Sequence, residues 1–502
     1  MWPFSTIQKL REEIRCLESQ IREKDNVISS LQGEQKTAEE KLVVAEKNAA
    51  LLKESLDFMK DVEVTPEFLE VERSIRNRDP LIFVHGGAGT GKSTLIQWLR
   101  KKELIHVVLA PTGLTALNVG GMTVHRAFGL APLKVFTKNG IPNNIPQNFK
   151  AVLNNLKAQH IETICIDEIS MVRSDLLDAL NQCLEEEFQK KPFGGFQMLF
   201  VGDLFQLPPV VPAGVVHFFD PQDKNYPGDL HGWHSPWFLD SDVLSHYKSM
   251  LKKIELTKVF RQAGEMNFVK TLNNLRKYRQ INVNAAELNA IISLKQTADK
   301  NSVIIVGTNQ QADTENTKRL NEIKTTSRQY IAMKTGTFLN YNQKNLPVPD
   351  DITLKNGEFI IIVANDIGKR YYNGSTATIT RFGPNGEVYV KDKNGEFVVH
   401  KNAWLDYDIT WDAHLKRFVN KEVGRYTQMP IIPGYAITCH KSQGKTIPSV
   451  FIDVQKAFAP GQMYVALSRT RSPKDISMKR PLTDADFPCD PRLSGLIQQG
   501  FF

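Results

Sequence analysis

The chain begins with apolar positions repeating every seven residues. From residue 7 to 59 one frame of eight heptads places Ile7, Ile14, Ile21, Ile28, Gln35, Leu42, Ala49 and Leu56 at position a. The same frame places Leu10, Leu17, Lys24, Leu31, Ala38, Ala45, Leu52 and Met59 at position d. This repeat predicts an α-helical coiled coil, and Ile at a with Leu at d favours a parallel dimer. Gly33 and Gln35 weaken its middle. A parallel homodimer would also set Glu13 against a second Glu18, and Glu34 against a second Glu39, which repel. An antiparallel, heteromeric or intramolecular partner stays open, as does a long helix packed on its own globular body. The repeat stops before Pro66.

Past that point the pattern changes to short unbroken apolar runs at 81–84, 163–166 and 198–201, as expected of strands buried on both faces of a parallel sheet. Each run leads into residues that carry chemistry. The first opens into Gly86-Gly87-Ala88-Gly89-Thr90-Gly91-Lys92-Ser93, and Thr94 begins the helix-forming stretch TLIQWLRKK. This is GxxxxGK[ST] in its strand–loop–helix setting, whose backbone N–H groups wrap phosphates at a helix N-terminus. Lys92 is expected to reach the β/γ-phosphates and the Ser93 hydroxyl to hold Mg²⁺. The second run ends in Asp167-Glu168, an acidic pair suited to phosphoryl transfer to water: one carboxylate holds the metal ion, the other activates the attacking water. The third ends in Gly202-Asp203, with Gln206 three residues on, beside the strand ends.

A later stretch, GYAITCHKSQGKT at 434–446, ends like a second phosphate loop. A true loop would need Gly at 439, and that position is Cys439. Thr438, His440, Lys441 and Ser442 instead offer hydroxyl, imidazole and ammonium groups suited to a nucleic-acid backbone. Between 351 and 425, Asn-Gly recurs at 356–357, 373–374, 385–386 and 394–395 between β-rich runs, which predicts antiparallel hairpins and a small barrel. Residues 131–150, rich in Pro, Asn and Gly, interrupt the first α/β region.

Composition adds bounds. A chain of 502 residues is too long for one core, so several domains are expected. No apolar run reaches the roughly 20 residues that span a bilayer, and neither a secretory nor a transit leader is recognisable, so a cytoplasmic or nuclear protein is expected. Five scattered cysteines suggest a reducing compartment without structural metal. Residues 1–62 hold 10 Lys+Arg against 12 Asp+Glu, so the net charge of +8 comes entirely from the rest of the chain. A basic body fits a polyanionic partner.

The ordered motifs KPFGG…GDLFQLPPV, TVHRAFGL, ELTKVFRQ, GYAITCHKSQGKT and FAPGQMYVALSRTRS resemble those of superfamily 1 DNA helicases of the PIF (petite integration frequency) type, in the RecD-like branch. The resemblance covers about residues 64–482. It implies an α/β fold of two RecA-like P-loop domains with an SH3-like β-barrel insertion, preceded here by the coiled coil. The divisions would be 1–62 coiled coil, 63–250 first RecA-like domain with a wedge near 131–150, 251–350 with 426–502 second RecA-like domain, and 351–425 insertion. It implies ATP and Mg²⁺ as cofactors, single-stranded and tailed duplex DNA as partners, and 5′-to-3′ movement in replication, recombination or repair. By the same resemblance Lys92 and Ser93 bind phosphate and Mg²⁺, Asp167 holds the Mg²⁺, Glu168 is the catalytic base and Gln206 senses the γ-phosphate. Arg261 and Arg469 are arginine fingers. DNA contacts fall on Pro111, Thr112, Thr123, His125, Thr438, His440, Lys441 and Ser442, and Phe136 is a strand-separating aromatic. The adenine-reading Gln of the family has no counterpart in 64–69, VTPEFL. Three other readings are a DNA-stimulated translocase without unwinding of its own, a tethering protein in which the coil is the working part, and an RNA helicase, which only the family resemblance disfavours. The last segment, 483–502, reads as a frayed terminus or a docking tail.

Overall fold

The computed structural model describes Lys24 and residues 58–495, except 131–134, 137–144, 230–231, 263, 278–284, 342, 344–345, 367, 369, 413–416, 455–458, 489, 491 and 494. The heptads of 7–59 lie almost wholly outside the described residues, and the chain divides into Met1–Glu63 and Val64–Phe502.

The second unit contains two parallel sheets. In the first lobe the strands are β1 (Leu81–Gly86), β2 (Val107–Ala110), β3 (Met122–Thr123), β4 (Thr163–Ile166), β5 (Gln197–Gly202) and β6 (Leu251–Leu256). Their order is β3-β2-β4-β5-β1-β6, every pairing parallel, with Cys165 opposite Leu199 and Phe83 opposite Phe200. The three apolar runs of the sequence are fully buried because helices cover both faces of this sheet. Strand β6 begins at Leu251, where the sequence divisions had already passed to the second domain; parallel pairing of Leu81 with Leu251 puts it in the first. That strand is only half buried, so it lacks the solid apolar run that marks its neighbours.

The second lobe has a five-stranded parallel sheet, in spatial order Ala436–Thr438, Val303–Val306, Val450–Ile452, Ile476–Met478 and Ser293–Leu294. Between its helix Asn309–Glu322 and the strand Ala436–Thr438 lies an all-antiparallel insertion whose strands run from Ser327 to Pro433. It starts before 351 and ends after 425; its outer strands carry no Asn-Gly punctuation, so the hairpin signal does not mark them. Of the four Asn-Gly pairs, Asn385-Gly386 and Asn394-Gly395 turn hairpins, whereas Asn356-Gly357 joins strands of two different sheets.

Two features depart from expectation. Phe136 is 6% exposed within the first lobe's core, and its backbone N–H donates to Asp175 (3.1 Å); a ring held there cannot part a duplex. The C-terminal segment is anchored rather than frayed as far as it is described. Phe487 packs with the second lobe's core, Trp237 Nε1 donates to Asp490 (2.6 Å), and Leu493 is buried in the core of the first lobe. Among the described residues no helix is long and apolar enough to cross a membrane.

Candidate active site and nucleic-acid interface

The sheet order explains why distant motifs meet. Strands β4, β5 and β1 are neighbours and parallel, so the phosphate loop, Asp167-Glu168 and Gly202-Asp203 all emerge at their carboxyl ends. The loop turns through Gly89 and Gly91, with φ of +79° and +88°, into the helix Lys92–Lys101. A Cβ on Gly89 would come within 2.5 Å of the Arg261 Cβ, and Phe260 donates its N–H to the Gly89 carbonyl (2.8 Å). The FRQ segment thus lies directly on the loop.

Lys92 Nζ donates to the carbonyls of Gly86 (2.8 Å) and Gly87 (2.9 Å), and the Thr90 hydroxyl to Gly87 (2.9 Å). Burial lowers the Lys92 pKa, against the pull of Asp203, Glu168 and Asp167, which surround it. Asp167 is buried, and its carboxylate accepts the N–H of Glu168 (2.9 Å). Burial raises both carboxyls; for Asp167 the neighbouring Glu168 adds to it, and for Glu168 the Lys92 ammonium opposes it. Glu168 has a left-handed backbone, φ 48°, a strained state for a residue other than glycine. Mg²⁺ takes hard oxygen ligands, and the Asp167 carboxylate and the exposed Ser93 hydroxyl are the groups that could offer them.

Gln206 Nε2 donates to Asp203 (3.2 Å), and from the second lobe Gln443 Nε2 reaches both Gln206 Oε1 (3.1 Å) and Glu168 Oε2 (3.4 Å). Arg261 donates to the Ser468 carbonyl (3.1 Å). Arg469 is wholly buried and donates to the carbonyls of Val465 (2.7 Å) and Ser442 (3.1 Å) and to the Ser468 hydroxyl (2.7 Å). Burial, with Arg261 nearby, pushes its pKa down to about 9. In this conformation its guanidinium is engaged with its own lobe.

Four participants escape sequence reasoning. Gln443 sits in a motif read for DNA contacts. Tyr464, inside an apolar run, accepts the Ala88 N–H (2.9 Å) and lies 3.4 Å from the Asp203 carboxylate. Arg276 pairs with Asp203 (3.0 Å) in the interior; burial opposes the Asp203 charge, yet Arg276 and Lys92 outweigh it and hold that carboxyl below its usual range. Arg276 lies on an ordinary amphipathic helix, Met266–Lys277, and nothing in its sequence marks it. Lys445 of the look-alike loop is buried and pushed down to about 8 by burial, with Arg469 and Lys441 adding to it.

The DNA candidates of the first lobe come together. Pro111, Thr112, Thr123 and His125 line one cavity of about 610 Å³, with Arg126, Arg173 and Tyr341. Thr112 and Thr123 are N-caps, accepting the N–H of Thr115 (3.3 Å) and Arg126 (3.2 Å). The second-lobe candidates divide. Lys441 is exposed and His440 half-buried, but Thr438 is buried as the cap of the short helix Cys439–Ser442. Ser442 is fully buried and donates to the Cys439 carbonyl (2.7 Å), so its hydroxyl does not face a strand.

The sequence profile of PIF1-like helicases matches residues 66–217. The ATP-dependent DNA helicase Pif1 of Bdellovibrio bacteriovorus is 28% identical over 429 residues, covering 83% of this chain and 88% of its own length. These matches bear out the resemblance to PIF1-like helicases. Human ATP-dependent DNA helicase PIF1 is 29% identical over 430 residues, 82% of this chain, which spans only 60% of that relative. The crystal structure of Bacteroides sp Pif1 in complex with ADP-AlF4 superposes with a TM-score of 0.76 at 29% identity, over 88% of this chain and 97% of that one. The same helicase bound to ssDNA, at the same identity and coverage, gives 0.59. The α/β fold with its parallel sheets is consistent with RecA-like helicase domains.

Proposed function

We propose that the chain is an ATP-dependent DNA helicase that moves 5′-to-3′ along single-stranded DNA and unwinds duplex in replication, recombination or repair. The observation that carries this reading is Gln443, which belongs to a segment read for DNA contact yet bonds Glu168 and Gln206 of the nucleotide site. A strand gripped by Lys441 or His440 would shift the short helix Cys439–Ser442 and, through the adjoining Gln443, the carboxylate placed to activate water.

In this reading the backbone N–H groups of 86–94 hold the phosphates, Lys92 turns from Gly86 and Gly87 to the β/γ-phosphates, and Glu168 takes the proton of the attacking water. Magnesium, held by Ser93 and Asp167, would neutralise charge on the phosphate oxygens. Gln206 aligns the water, and Arg261 and Arg469 meet the transition state when the lobes close. The insertion is SH3-like by resemblance and roofs the strand. Residues 7–59 provide self-association or a partner contact.

The test is unwinding of duplexes bearing a 5′ or a 3′ single-stranded tail, with ATP and with Glu168→Gln as control. Unwinding of the 5′-tailed substrate by the wild type alone supports the proposal. DNA-stimulated hydrolysis without unwinding of either substrate would reduce it to a translocase.

A further inference from the structure

The cavity lined by Thr112, Thr123 and His125 has a cation that is held across to the insertion. Arg126 Nη1 is paired with Asp406, and Arg126 Nη2 with Asp408 at 2.6 Å. Both carboxylates stand on the strand Asn402–Asp412 of the long hairpin, at a register shift between Asp406 and Tyr407. Asp406 is buried and also accepts the hydroxyls of Thr337 (2.6 Å) and Tyr341 (3.4 Å). Asp408 accepts Asn148 Nδ2 (3.1 Å). Tyr341 and Asn340 of the insertion complete the wall of the same cavity. The other arginine there, Arg173, is already paired in the interior with Asp175 of its own lobe (2.8 Å).

We propose that Arg126 is a phosphate ligand for single-stranded DNA, and that Asp406 and Asp408 occupy it until a strand enters. The proposal rests on the helicase reading. Three points support it. The guanidinium fork binds a phosphate with the geometry it uses for carboxylates, so the exchange replaces charge-assisted bonds with bonds of the same kind. Two carboxylates on one guanidinium leave a net negative charge at the cavity, which repels a phosphate backbone until they withdraw. Asp406 would not be orphaned when Arg126 leaves, because Thr337 and Tyr341 still donate to it. The same carboxylate therefore ties the roof of the cavity to its floor, and DNA competes for that tie.

The experiment is binding of a fluorescein-labelled oligothymidylate to the full chain, by anisotropy at fixed salt, for wild type, Asp406→Asn/Asp408→Asn, and that pair combined with Arg126→Ala. The asparagine pair should tighten binding about tenfold, the gain expected if a competent state goes from a tenth populated to fully populated. Adding Arg126→Ala should abolish the gain. Should circular dichroism find the pair unfolded, Asp408→Asn alone, at the more exposed carboxylate, should still tighten binding about threefold by the same reasoning. Unchanged or weaker binding by a folded variant would mark a structural staple and overturn the inference, as would a gain that survives Arg126→Ala. If the wild type binds no single-stranded DNA, the helicase reading itself fails and takes this inference with it.

Discussion

Gln443 Nε2 lies 3.4 Å from Glu168 Oε2, across the cleft between the two lobes. Its second bond, to Gln206 at 3.1 Å, fixes the other residue expected to handle the attacking water. A single amide therefore touches both groups that would handle the attacking water in the proposed mechanism. Gln443→Ala should lower kcat for DNA-stimulated ATP hydrolysis by about tenfold or more, within the range of general-base positioning effects, with KM for ATP nearly unchanged. A rise in KM at constant kcat would show that Gln443 only helps bind nucleotide.

In the proposed mechanism Glu168 and the metal ligands Ser93 and Asp167 would separate chemistry from binding. Glu168→Gln keeps the shape and loses the base, so hydrolysis should fall about 10²–10⁴-fold while a fluorescent ATP analogue still binds. Chelation of Mg²⁺ by EDTA should stop hydrolysis by the wild type and be reversed by added Mg²⁺. Hydrolysis that persists in excess EDTA would refute the roles given to Ser93 and Asp167.

Arg261 and Arg469 should differ in what else they lose. Each substitution to Ala should cost about 10³-fold in kcat, as removal of an arginine finger does. Only Arg469 is wholly buried, donating to two carbonyls and a hydroxyl, so Arg469→Ala should also lower the melting temperature. Thermal melts of the two variants beside their rates would decide it; equal melting with an unchanged rate would remove Arg469 from the mechanism.

The Arg276–Asp203 pair has no access to water. Arg276→Met removes the ion-pair partner of the buried Asp203 beside the phosphate loop, and unfolding in denaturant should show a loss of about 3–5 kcal/mol. A loss below about 1 kcal/mol would mean that Lys92 and Gln206 suffice to hold Asp203.

Leu493 lies in the core of the first lobe although it follows the second in sequence. Leu493→Ala should cost about 2–5 kcal/mol, read by the same denaturation. A substitution without effect would return the segment to the status of a loose end.

What the sequence determined by itself is the chemistry that depends on local order. The phosphate loop needs only a strand, its glycines, Lys92 and a helix, all contiguous between residues 81 and 101, and the carboxylates come directly after a buried run at 163–166. Spacing alone was also enough to reject Gly444-Lys445-Thr446 as a second loop, because the requirement for Gly at 439 is local. Hairpin chemistry located the insertion, though not its outer strands. The tertiary structure decided everything that depends on adjacency. Asp203 becomes part of the nucleotide site because β5 lies between β4 and β1, and Arg276 because its helix packs where that strand ends. Gln443 and Tyr464 join from the other lobe, and Arg126 meets Asp406 across some 280 residues. Ser442 and Phe136, polar and aromatic residues that read as contacts, turn inward. Burial and long-range pairing depend on how sheets and lobes pack, and a residue's type and spacing carry no record of which distant side chain will face it.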